Sequence, residues 1–472
     1  MKIKIISLLY TLIFFFSFYP LQAEPISAIS DEITPLQTMD FPERPAPILE
    51  LGEKYLKPGE ITKGYEIPTG AVWRPSLIIW GTLRTAIQST DSNVKMGNTR
   101  LSEWSNRLDL YGNLNLTATE RILIGFRPLD RNRNFTRYTF EAPSALKGEE
   151  GNFEEEFNFK YTTFFFEGDF GQLFPFLDRN DRYGLDLGFS VGRQQLNMQD
   201  GILLNDRIDS FGISKINLKH GWAVNHRATL LWGWNELNRN ALAVDDSNSS
   251  LFGISNELDF NLTTAEFDVI YVDGDNFSGD GLYSGIGFTQ RMYEFNSTYR
   301  ILNSQGFGIE TDNNQNGTLI FGEISKDLEY SQDYIYLNSF YGIDKFRSAS
   351  RAPEFGGPLG STGVLFGSLG LGRYGSPLNN QPDEAFGSAA GYQLFFNHKR
   401  QNVIFEIGGR YARSEIGQRA IAAGISFQSA VGRRNILRLD TYTRYGKERL
   451  TPNNDEKQAP GVGVRIEWVL NL

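Results

Sequence analysis

Arginines and carboxylates at alternate positions are the first residues of this chain whose type and spacing suggest chemistry. Arg84, Arg107, Arg121, Arg127, Arg193 and Arg227 fall on the polar side of period-two segments, and Glu257, Asp259, Glu266 and Asp268 do so in later ones. A guanidinium stays ionised and grips a carboxylate through paired hydrogen bonds, so an arginine-lined surface suits acidic sugars and organic acids. Basic and acidic segments facing each other across water would set up a transverse field that orients polar solutes. Placed side by side, the same charges would pair across neighbouring strands and solvate a wall. The spacing is compatible with both.

Asp312, Asn314, Asn316 and Glu323, with Gly317, fit the D-x-N-x-N-G-x5-E order of a calcium loop. Hard oxygens at alternate positions and a glycine for the sharp turn are what Ca²⁺ requires. The flanks here read as strands, and Asn-Gly is also a plain turn signal. Asp273, Asp275 and Asp280 form a second, weaker candidate for calcium. Gly188-Phe189-Ser190-Val191-Gly192 fits G-x-S-x-G, but a nucleophile elbow needs a strained strand-to-helix turn, whereas this pentapeptide lies inside an alternating strand. His220, His226 and His398 have no serine suitably placed. No enzymatic activity is expected. With no cysteine in the chain, disulfides, thiolate metal sites and covalently attached haem are excluded. A net charge of −10 argues against nucleic-acid binding.

The elements that must position these groups are strands. Leu108, Leu110, Gly112, Leu114 and Leu116 alternate with Arg107, Asp109, Tyr111, Asn113 and Asn115, and Val403, Phe405 and Ile407 oppose Glu406 and Arg410. A period of two puts apolar groups on one face and polar groups on the other. About eighteen such segments of roughly ten residues recur (sixteen at the fewest), the length a tilted strand needs to cross a bilayer. Short links near 117–120, 262–264, 290–292, 398–402 and 430–434 alternate with long ones near 89–100, 131–153, 236–250, 303–316, 346–385 and 446–460. Short periplasmic turns and long outer loops give this rhythm. The link 168–183 is too long for its place, which suggests a strand merged into it. With 36 Phe, 21 Tyr and 7 Trp the chain is aromatic-rich, yet its mean hydropathy is negative, so a helical membrane bundle does not fit. The fold expected is all-β: a transmembrane antiparallel barrel with lipid outside and a polar lumen. A soluble sandwich shares the alternation but not the export signal or the aromatic excess.

Three regions follow. Residues 1–23 read as a secretory signal peptide: Lys2 and Lys4, an apolar run from Ile5 to Tyr19, and Leu21-Gln22-Ala23 as cleavage site. Residues 24–75, broken by eight prolines, read as an irregular periplasmic leader arm, either free or packed into the domain as a plug. Residues 76–472 read as the barrel. Its last strand places Val464, Ile466, Trp468, Leu470 and Leu472 on one face, similar to the C-terminal signal of outer-membrane barrels, so the partners expected are the bilayer, lipopolysaccharide and the barrel-assembly machinery. The glycine- and proline-rich loop 348–384 either stays outside or folds in to narrow the pore.

The stretch from Gly192-Arg193-Gln194 through Asn197-Met198-Gln199-Asp200 to Asp206-Arg207 resembles a strand–loop–strand segment of the alginate-export family of outer-membrane porins. Asn197-Met198-Gln199-Asp200 stands where that family has Tyr-Gly-Asp. The resemblance implies an eighteen-strand barrel conducting an anionic polysaccharide through an arginine-lined pore, with Arg193 in the lumen. The expected function is therefore a passive channel in the outer membrane of a Gram-negative bacterium, passing polar, anionic solutes or an acidic polysaccharide. The competing expectation is a barrel sheath for a periplasmic partner such as an electron-carrying cytochrome.

Overall fold

The structure, a computed structural model, describes residues 45–52, 64–92, 100–131, 134–177, 184–239, 245–246, 248–275, 278–308, 311, 314–329, 331–449, 457–458 and 460–472. Eighteen antiparallel strands close into a barrel. They are β1 (Ser76–Ser92), β2 (Arg100–Asn115), β3 (Arg121–Phe126, continued by Asn134–Glu141), β4 (Phe153–Glu154, continued by Tyr161–Asp169), β5 (Gly188–Met198), β6 (Leu204–Lys215), β7 (Asn225–Asn235), β8 (Ser250–Asp259) and β9 (Thr263–Asp273). Then come β10 (Asp280–Met292), β11 (Phe295–Phe307), β12 (Gly317–Asp327), β13 (Tyr334–Asp344), β14 (Ala385–Phe396), β15 (Gln401–Ala412), β16 (Gly417–Val431), β17 (Asn435–Arg449) and β18 (Gly461–Asn471). β18 pairs with β1 from Gly461↔Ser92 to Asn471↔Thr82, which shuts the cylinder.

The alternation resolves as lipid-facing and lumen-facing rows. Ile87, Trp104, Trp232, Ile407, Ile421, Val464, Ile466 and Trp468 are exposed on the outer surface. Glu103, Asp109, Arg300, Glu406, Arg465 and Glu467 are buried on the inner one. This is the inverse of a soluble sandwich and belongs in the outer membrane of a Gram-negative bacterium.

Several sequence expectations need correction. The segment 131–153 is not all loop: Asn134–Glu141 carries β3 on, pairing Ser102 with Glu141 and Asn106 with Thr136. Pro128 cannot donate to a ladder, and the strand breaks there by an inward bulge before resuming. Among the described residues the link after β4 holds no merged strand, only one helical turn, Phe170–Leu173, capped by Asp169. The arm is not wholly irregular. Leu49–Leu51 pairs with Leu77–Ile79, beside the part of β1 that extends past the end of β18. Tyr65–Glu66 and Val72–Trp73 make a small hairpin.

Candidate functional site: the filled lumen

Two inward-folded segments decide what the lumen can do. The first is the extracellular half of the β5–β6 hairpin. β4 follows β5 as far as Phe164↔Arg193, and β7 joins β6 from Asp209↔Asn235. Above those pairs β5 and β6 bond each other up to Met198↔Leu204 and leave the wall. The bend is at Gly192, φ +124°, where a Cβ would lie 2.2 Å from the Phe164 carbonyl oxygen, so only glycine fits. The tip, Gln199-Asp200, has positive φ at both residues as in a tight hairpin turn. It reaches the wall at β9 and β11, where Gln199 Nε2 donates to Asp268 Oδ2 at 2.6 Å and Arg300 Nε donates to Asp200 Oδ2 at 3.0 Å.

The second is the loop between β13 and β14, which folds inward. It docks on the hairpin by a short parallel pairing, Leu204↔Ser350 and Asn205↔Arg351. Burial pushes Arg351 down to about 10, and its guanidinium donates to the Gly201, Phe355 and Gly356 carbonyls. The wall then pins the loop group by group. Arg84 and Arg107 donate to the Leu369 and Gly370 carbonyls, both at 2.9 Å. Arg410 and Arg444 donate to those of Asn379 and Pro377 at 3.0 and 3.1 Å. Glu406 accepts the Val364 and Leu365 N–H groups at 2.9 and 2.8 Å. Arg373 on the loop pairs with Glu103 at 2.7 Å.

At the centre of this clasp sits Glu354. Its Oε1 accepts from Arg127 at 3.1 Å and from Arg207. Burial pushes this carboxyl up, but the Arg207 and Arg127 guanidiniums outweigh burial and hold it well below the usual carboxylate range. Arg127 also reaches Asp109 at 2.9 Å and Asp130 at 3.3 Å, a reach made possible by the bulge in β3.

The candidate residues therefore divide. Arg107 and Arg127 come together on Asp109, but Arg84, Arg121, Arg193 and Arg227 do not join them. Arg84 pairs with Glu467, Arg121 with Glu167, Arg193 with Asp209 at 2.8 Å, and Arg227 with Glu257. The neutralising groups are thus near neighbours and Glu354, and of the carboxylates 257–268 Glu257 joins them by pairing with Arg227. Asp259 accepts from Asn225 and Thr264, Glu266 pairs with Arg300 at 2.7 Å, and Asp268 holds the hairpin tip. Asp312 lies outside the described residues. The side-chain oxygens of Asn314 and Asn316 accept the Thr311 and Gly306 N–H groups, and Glu323 lies on β12. Among the described residues no group of three His, Asp or Glu side chains is placed to hold a metal. Ser190 sits within β5, paired to Glu167 and Gly212, with strand continuing after it.

Sequence reasoning left the hairpin's departure from the wall unread. The signal was present in Leu230-Leu231-Trp232, Val269-Ile270-Tyr271-Val272 and Leu319-Ile320-Phe321, which are apolar on both faces. Strands buried on both sides read that way. Leu231, Ile270, Val272 and Leu319 point into the barrel and pack on Ile202, Leu203, Leu204 and Ile208 of the hairpin and on Leu359, Leu365 and Phe366 of the loop. Beneath the hairpin a vestibule of about 770 Å³ remains, lined by Glu167, Ser190, Gln194, Gln195, Asn197 and Arg227 among others.

No family model matches the sequence, and no curated protein does. Among solved structures the chain is similar to a BenF-like porin from Pseudomonas fluorescens Pf-5, with TM-score 0.54 and 11% identity over 84% of this chain and 99% of that one. It is similar also to OccK2 (OpdF) of Pseudomonas aeruginosa, with TM-score 0.53 and 9% identity over 84% and 98%, and to OccK1 (OpdK) of the same organism, with TM-score 0.52 and 10% identity over 84% and 99%. The fold is that of an outer-membrane porin.

Proposed function

We propose that this barrel is a passive channel for small polar solutes with a preference for anions. One observation carries the preference. On the wall from β17 to β1, Arg438 and Arg84 keep 32% and 16% of their side chains exposed, while Glu467 between them is fully hidden. Hidden carboxylates hold the guanidiniums in place, and the surface left to a solute is cationic. Across the lumen the order is reversed: Arg300 is hidden, and Asp200 and Glu266 are the exposed members of its cluster. Opposed exposed charges of this kind orient a polar solute in the passage. The resemblance of the segment 192–207 to alginate-export porins extends the solute class to acidic sugars. The filling of the extracellular lumen by the chain's own hairpin and loop favours a small solute over a protein threaded through a sheath.

The test is the reversal potential in planar bilayers under a salt gradient. The parent protein is expected to be mildly anion-selective. The double variant Arg84→Gln with Arg438→Gln should shift toward cations, most clearly at low salt where screening is least. A parent that does not conduct, or a double variant with unchanged selectivity at low salt, would count against this reading.

A further inference from the structure

We propose that the periplasmic turn between β6 and β7 carries a two-histidine site for a divalent transition-metal ion of tetragonal geometry, Cu(II) or Ni(II). His220 Nε2 and His226 Nδ1 lie 2.8 Å apart. Metal–imidazole bonds of about 2.0 Å set at right angles place two nitrogens about 2.8 Å apart, whereas tetrahedral angles need about 3.3 Å. The pair therefore already has the bite of two adjacent corners of a square-planar or octahedral shell. His220 is exposed, which leaves the remaining corners to water. The third histidine, His398, lies apart from the pair in the turn between β14 and β15.

The turn holds both rings in place. The His226 carbonyl accepts the Leu218 N–H at 3.0 Å, and the His220 carbonyl accepts that of Ala223 at 3.4 Å. Asn256 on β8 fixes the tautomer of His226. Its Oδ1 lies 3.1 Å from His226 Nε2, and a carbonyl oxygen can only accept, so Nε2 carries the proton and Nδ1 keeps a lone pair toward His220. Ligating histidines are oriented in this way, by a hydrogen bond from the ring nitrogen that does not touch the metal. Without metal, His220 Nε2–H donates to that lone pair. With metal, the His220 proton moves through solvent to Nδ1 and Nε2 becomes the second ligand, so the pair loses no proton overall. Trp222 stacks on the His220 ring, with 5.3 Å between centroids and 21° between planes, and packs on Phe260 at 6.1 Å. This stacking covers one face of the His220 ring and puts an indole within reach of a bound ion. By period two His226 shares its strand face with Leu230 and Trp232, both exposed on the outer surface. The site therefore lies outside the lumen and does not rest on the channel reading.

The test uses the untagged, folded barrel in detergent, with Cu(II) alone as the probe. One equivalent should bind, with nitrogen splitting from two imidazoles in the electron paramagnetic resonance spectrum and quenching of Trp222 emission. His220→Ala and His226→Ala should each weaken binding by about tenfold or more, and Asn256→Leu, which leaves both ligands in place, by about tenfold. His398→Ala should bind like the parent, and Trp222→Phe should keep the resonance spectrum while losing the quench. Heat-modifiable migration verifies that each variant is folded. Absence of a bound equivalent, parent-like affinity in folded His220→Ala or His226→Ala, or loss of binding in His398→Ala would each overturn the site. Bilayer current keeps the two readings apart: conduction without Cu(II) binding removes the site and leaves the channel, and binding without conduction does the reverse.

Discussion

Under β7 to β13 the extracellular half of the lumen is packed like the interior of a soluble protein, with Leu203, Leu204 and Ile208 of the hairpin fully buried against Leu251, Ile270, Val272, Leu302 and Leu319. From β17 through β1 to β3 the same depth of lumen is filled by ion pairs and by guanidiniums on loop carbonyls. The apolar side is held by burial, which is non-directional and worth about 1.5–3 kcal/mol for each large side chain. The charged side is held by directional groups that depend on one another, where loss of one strands the next. The first behaves as a plug. The second is where a passage can widen, because a solute that replaces a carbonyl or a carboxylate keeps the guanidiniums satisfied.

The largest expected effect comes from breaking the apolar side. Leu204→Asp puts a carboxylate at a fully buried position in the apolar cluster, where losing its hydration is costly. Barrel assembly should fail, seen as loss of the heat-modifiable folded band. An intact band would mean that the hairpin is not seated as described. Arg438→Gln, on the exposed part of the charged side, should leave the band unchanged.

Next in size is release of the clasp. Glu354→Ala leaves Arg127 and Arg207 facing each other without their shared acceptor, and breaking a buried pair costs about 3–5 kcal/mol. The loop should detach from β3, and single-channel conductance should rise severalfold while the folded band persists. Arg127→Gln should raise conductance less, because Arg207 still holds Glu354. Unchanged conductance in Glu354→Ala would place the narrowest point elsewhere.

How much of this could be read in advance differs between the two sides. The strand number and the lipid-facing rows were legible because period two is enforced by lipid on every strand. Arg107, Arg127 and Arg193 were legible only as polar positions of that pattern. Their partners were not, since pairing depends on register and on a loop: Glu354 lies 227 residues from Arg127 in sequence. The apolar side was written in strands with no polar face, such as Val269-Ile270-Tyr271-Val272. That pattern has meaning in a barrel only once something fills the lumen, and the filler is a fifteen-residue detour, 194–208, whose one local mark is Gly192.

The smallest expected effect concerns acid, and it bears on the clasp at Glu354 on the charged side. Glu354 has its pKa held below the usual carboxylate range by Arg207 and Arg127 against the opposing effect of burial. A carboxylate whose pKa is depressed in the folded state contributes its stabilisation in full above its unfolded value, about 4.3, and loses it as pH falls through the lower folded value. From pH 7 to pH 5 the clasp should therefore hold at full strength, with single-channel conductance unchanged after correction for bulk conductivity. Opening should set in well below pH 4, and Glu354→Gln should abolish that acid response, having no proton to take up. A rise in conductance between pH 7 and pH 5 would show that a group other than the doubly held Glu354 keeps the loop in the lumen.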